Sequence, residues 1–130
     1  MDLPASGERS VGIPAFRGGR VIFTTIIPDV SSPCSYGGSG WLMELDALTG
    51  NRRDTPTFDT NGDNIIDGTD TVGGNTPGGV QNTSIATDPT IQSHGRDEDK
   101  YQNTSDSTIP RTREYAGSNA PQRVMWREVR

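Results

Sequence analysis

The sequence predicts an all-β fold: a partial, modified β-propeller-like set of short antiparallel strands joined by long irregular loops. Two observations lead there. Apolar residues are gathered into short β-type runs, and turn formers are abundant, with 16 Gly and 9 Pro in 130 residues. No helix is expected beyond a turn or two flanking residues 59–70.

Composition sets the limits. The hydrophobic fraction is 29% and the mean hydropathy is -0.68, and Leu, Ile, Val and Phe make up 23 of the 130 residues, below the roughly 20% share at which chains begin to look disordered. Disorder usually comes with a large net charge, yet here the charge is -5, and the clustering of apolar residues favours a partly folded segment over a tail. With 12 Lys and Arg against 17 Asp and Glu, no basic surface is available to neutralise phosphates, so nucleic acid is not an expected partner. The C-terminal arginines (Arg111, Arg113, Arg123, Arg127, Arg130) alternate with polar residues and Glu and read as a solvated face. No apolar run is long enough to span a bilayer, and Met1-Asp2-Leu3-Pro4 does not read as a signal peptide. The lone cysteine, Cys34, is either a free small hydrophobe or half of a bridge to another segment.

The elements follow in order. Phe16-Arg17-Gly18-Gly19-Arg20-Val21 predicts a hairpin, because a Gly-Gly pair supplies the positive φ angles of a two-residue turn. The strand that follows, 21–27, is apolar at alternate positions of both kinds and is expected to be buried on both faces. Residues 28–40 read as a Ser-, Pro- and Gly-rich loop. A second strand, 41–46, sets Trp41, Met43 and Leu45 on one face, and residues 46–50 turn the chain back. Residues 71–84 offer almost nothing to bury and are expected to form an irregular loop. Further strands are expected at 85–91, 100–104 and 123–129, with a charged turn at 95–99. The rhythm resembles individual propeller blades, too few to close a ring, so exposed edges would invite a partner.

Residues 59–70 carry the chemistry. Asp59, Asn61, Asp63, Asp67 and Asp70 place oxygen-bearing side chains at positions one, three, five, nine and twelve of a twelve-residue loop. The backbone carbonyl of Ile65 falls at position seven, the spacing of an EF-hand-type calcium loop. Asn64 at position six tolerates the left-handed turn needed there, and Ile66 at position eight is the apolar anchor. Gly62 stands at position four instead of six, and Asp70 replaces the longer bidentate Glu; the shorter ligand implies weaker binding. An Asx-rich turn without metal is the plainer alternative, but five correctly spaced ligands are hard to obtain that way. Magnesium seldom uses such a cage.

Other motifs weigh less. His94, the lone histidine, lies in the charged turn and offers no triad or multi-histidine site. Gly37-Gly38-Ser39-Gly40-Trp41 lacks the closing glycine of a nucleophile elbow. Asn82-Thr83-Ser84 and Asn103-Thr104-Ser105 match the glycosylation pattern, which arises often by chance in such a composition.

Three stretches carry a resemblance: Ser6-Gly7-Glu8-Arg9, residues 17–25 (RGGRVIFTT) and residues 33–50 (PCSYGGSGWLMELDALTG). Together they resemble the C-terminal end of the PilY/PilC type IV pilus tip proteins, specifically over 6–70 and in layout through Arg130. The resemblance implies that 1–130 is a C-terminal β-propeller-type segment with its calcium loop at 59–70, ligated through Asp59, Asn61, Asp63 and Asp67. It implies a calcium-binding structural and adhesive component of a pilus or pilus-like surface fibre, extracellular at the cell surface and not an enzyme. Calcium occupancy would then modulate pilus assembly, extension and retraction, or adhesion. Partners would be pilin or minor pilin subunits, a companion chain completing the propeller, or a host or abiotic surface. Two other readings are a fragment of a quinoprotein-like propeller enzyme, whose blade turn Asp46-Ala47-Leu48-Thr49-Gly50 is similar to, and a dockerin-like docking module. The first lacks a cofactor constellation, and the second needs two loops flanked by helices.

Overall fold

The structure, a computed structural model, describes residues 3, 5–29, 31 and 37–117. Cys34 and the expected strand at 123–129 lie outside the described residues. The elements are β1 (Arg9–Ser10), β2 (Ala15–Arg17), β3 (Arg20–Pro28), β4 (Gly38–Asp46), β5 (Gly79–Asn82), β6 (Thr90–His94), β7 (Asp97–Tyr101) and β8 (Arg111–Tyr115). They form a five-stranded antiparallel sheet in the order β1-β3-β4-β5, with β2 also on β3, and a three-stranded meander β6-β7-β8. No helix occurs among the described residues.

The Gly-Gly hairpin forms as expected: Arg17 pairs with Arg20, and Gly18 and Gly19 take φ of 56° and 76°, the turn whose twist matches the flanking strands. The expectation of a strand buried on both faces fails for β3. Its inward face, Arg20, Ile22 and Thr24, is buried, whereas Val21 and Phe23 on the other face stay half-exposed. The same alternation governs β4. Gly40, Leu42 and Glu44 point inward, while Trp41, Met43 and Leu45 share the other face as expected, Trp41 and Met43 half-buried and Leu45 buried. Gly40 is required where it stands, since a Cβ there would lie 2.0 Å from the Thr25 carbonyl oxygen.

The expected irregular loop at 71–84 contains a turn closed by Val72 and Asn75 and then β5, which pairs with β4. Its glycine admits the neighbour: a Cβ on Gly79 would lie 2.6 Å from Met43 Sδ. Backbone fit, which hydrophobic patterning does not register, makes this strand. The expected strand at 85–91 starts only at Thr90, with Ala86 forming a lone bridge to Thr104. The charged turn shrinks to Gly95 and Arg96, so that Asp97 to Asp99 begin β7 instead. Neither β1 nor β8 was expected.

The two sheets meet through side chains of an unusual kind. Alongside Ile22 and Leu42, the interior holds Arg20, Glu44, Glu98, Lys100 and Glu114, each at most 1% exposed. Gln102 continues the polar row, donating to Thr24 Oγ1 across the sheets at 3.1 Å. A chain only 29% hydrophobic therefore fills much of its interior with charges, tolerable only because each has a partner.

Candidate metal centre

The loop at 59–70 hangs between the two sheets. Residues 57–59 run along the open side of β8: Tyr115 donates its backbone N–H to Thr57, Phe58 bridges Glu114, and Asp59 donates to the Arg113 carbonyl at 3.0 Å. Phe58, fully buried, anchors this approach. Beyond the loop, the turn at 72–75 leads into β5 on the other sheet.

Inside the loop, the side chains first organise the backbone. Asp59 accepts the amides of Gly62 (2.7 Å) and Asn64 (2.9 Å), folding positions four and six back toward position one. Asn61 accepts from Asp63 N, Asp63 from Ile65 N, and Asp67 from Thr69 N, at 2.7–2.9 Å, successive Asx turns that tighten the chain. The Thr69 amide and hydroxyl hold the Asp67 carboxyl below the usual range. Asn64 takes φ of 64°, the left-handed conformation expected at position six, and Arg111 of β8 donates to its side chain at 2.7 Å. Ile66 is half-buried and Ile65 is 60% exposed. Asp70, fully buried, closes the base by accepting from Thr60 N at 2.7 Å and Asp67 N at 3.0 Å.

The side chains of the loop offer oxygen donors, the kind a hard cation takes. The loop carboxylates are not drawn into one tight group. Among the described residues, the set of acidic side chains whose oxygens all lie within 4.8 Å of one another is Glu44, Glu98 and Glu114.

That second set is an ion cluster with its own cations. Arg20 Nη1 is 2.6 Å from Glu44 Oε2, and Arg20 Nη2 is 2.7 Å from Glu98 Oε1. Arg17 reaches Glu98 at 2.6 Å. Lys100, the lone lysine, puts its ammonium against Glu44 and Glu114 and 3.1 Å from Glu98. Sequence reasoning missed this cluster. Its signal was the alternation of Glu98 and Lys100 across the boundary between an expected turn (95–99) and an expected strand (100–104), and Glu44 on the same strand face as Leu42.

Of the other motifs, Asn82 is 8% exposed and donates to Gln102 Oε1 at 3.1 Å, so the first glycosylation pattern is not presented at the surface. His94 Nε2 lies 3.3 Å from Asp99 Oδ2 in an exposed position.

Similarity places the chain. It is 35% identical, over 99% of its length, to a type IV pilus biogenesis factor PilY1 homolog of Xylella fastidiosa (strain Temecula1 / ATCC 700964). A shorter match to a protein of the same description in that organism reaches 54% over 44 residues, 34% of the chain. The chain belongs to the PilY1-like family. It spans 11% of the longer-matched relative's length. No family model matches this PilY1-like chain, and no solved structure does.

Proposed function

We propose that this PilY1-like chain is a non-enzymatic, calcium-binding structural element of the type IV pilus apparatus, working at the extracellular surface. The observation that carries the reading is the capture of the Gly62 and Asn64 amides by the Asp59 carboxylate, at the head of a regular oxygen series in a chain similar to PilY1 homologs. Asp59, Asn61, Asp63 and Asp67, the Ile65 carbonyl and Asp70 would hold the ion. Calcium binds the ordered loop in preference to the open one and so stabilises it. Because the loop spans from β8 to β5, occupancy would set how firmly both edges are held, which is how calcium would modulate pilus assembly, extension and retraction, or adhesion. Among the described residues the two sheets leave open strand edges, which would suit a companion chain completing a propeller or pilin subunits.

Calorimetric titration of calcium into the chain tests this, with the double variant Asp59→Ala/Asp63→Ala as control. One saturable site, lost in the variant, is expected. Absence of binding at millimolar calcium, the weak end of extracellular modules at about 10⁻³ M, would leave an Asx-rich turn and overturn the reading.

A further inference from the structure

We propose that the ion cluster between the sheets is a proton-operated latch, in which a proton shared between Glu114 and Glu44 holds β7 and β8 against β3 and β4, and its loss loosens that contact.

The argument begins with which carboxylate is worst served. Glu98 receives Arg17, Arg20 and Lys100, and Glu44 receives Arg20 and Lys100. Among the described cations, Glu114, on β8, has Lys100 in close contact and Arg20 Nη1 at 3.7 Å. The groups facing it are therefore Lys100 and Glu98 from β7, Glu44 from β4 and Arg20 from β3, with Arg17 of β2 engaged on Glu98. All but Arg17 are fully buried.

One oxygen stays unmatched. Glu114 Oε1 is buried without a hydrogen-bond partner, whereas Glu44 Oε1 lies against the Lys100 ammonium. The carboxylates of Glu44 and Glu114 are neighbours in the same cluster, and two facing carboxylates can relieve their repulsion by sharing one proton. Burial, with the adjoining Glu44 charge, pushes the Glu114 carboxyl well above its usual 4.5, against the pull of Lys100.

The sign follows. A carboxyl raised on folding stabilises the joined sheets below its unfolded value, and that stabilisation is lost as pH rises through the folded value. The latch is closed on the acidic side and opens toward higher pH.

The test is hydrogen exchange of the β7 and β8 amides in the full chain from about pH 5 to about pH 9, corrected for intrinsic exchange. Wild type should lose protection about tenfold or more as pH rises, the equivalent of one pKa unit. Glu114→Gln, which keeps the shape and cannot ionise, should stay protected throughout. Flat wild-type protection, or an unchanged pH slope in the variant, overturns the proposal. Should the variant fail to fold, carboxyl 13C shifts of glutamate-labelled wild type decide. One carboxyl titrating far above the others supports the latch, and uniform titration in the ordinary range overturns it.

Discussion

Arg20 Nη2 and Glu98 Oε1 meet at 2.7 Å with both side chains fully buried, and they belong to different sheets. The same guanidinium holds Glu44 at 2.6 Å, so Arg20 joins β3 and β4 to β7. Removing one member of a buried ion pair strands the other charge, a loss of about 3–5 kcal/mol. Arg20→Met, which keeps the apolar stem, is expected to destabilise the chain by that amount in urea unfolding. A change below about 1 kcal/mol would mean that water reaches the pair and that the sheets are held by something else.

The pH limits of stability follow from the same cluster. Burial pushes Glu98 up, but Lys100, Arg17 and Arg20 outweigh it and hold the carboxyl below the usual 4.5. Its contribution is therefore present above that value and lost as pH falls through the folded one. Burial pushes Lys100 down, but Glu114 and Glu44 outweigh it and keep the ammonium above the usual 10.5. That contribution is complete below 10.5 and lost as pH rises beyond. Thermal unfolding followed across pH should fall away at both extremes, and Glu98→Gln should remove much of the acid limb. An acid limb of equal depth in that variant would assign it to other carboxylates.

What the sequence made legible was local. The Gly18-Gly19 turn, the Asp46 turn and the left-handed Asn64 each follow from one or two residues whose backbone needs are specific. Asp46 Oδ1 does accept the amides of Leu48 and Thr49, at 3.0 and 2.9 Å. The interior was not legible, because patterning assigns charged residues to water. Glu98 and Lys100 were read into a charged turn and its neighbour, and the alternating Arg111-Thr112-Arg113-Glu114 into a solvated face, when Glu98, Lys100 and Glu114 are fully buried. Their burial depends on partners brought from β3 and β4, a long-range pairing that no local window holds. In the loop, the regular spacing of oxygen-bearing side chains was readable, but the double amide capture by Asp59 and the burial of Asp70 belong to the folded backbone.

Adjacent glycines in the β2–β3 turn separate conformational strain from steric contact. Both take positive φ, but a Cβ on Gly19 meets nothing within 4 Å, whereas one on Gly18 would lie 2.8 Å from the Ala116 carbonyl oxygen. Gly19→Ala should cost only the left-handed penalty, about 1–2 kcal/mol. Gly18→Ala should cost distinctly more, because backbone at the end of β8 has to give way. Equal losses in parallel urea titrations would show that the contact with Ala116 relaxes freely.

Two aspartates of the loop should divide its structural role from its ligand role. Asp70 is fully buried and accepts two backbone amides, Thr60 and Asp67, bonds that exist whether or not an ion is bound. Asp70→Ala leaves those amides unmet, a loss of about 1–3 kcal/mol, and should lower stability even in chelator. Asp63 is exposed, and among the described residues its hydrogen bonds are with Asn61 and the Ile65 amide. Asp63→Ala should therefore match wild type in chelator and lose only the rise in melting temperature that calcium brings. Melting curves of wild type and both variants, with and without calcium, separate the two. If Asp70→Ala were silent in chelator, the loop would be open without its ion. Calcium would then build the base of the loop as well as filling it.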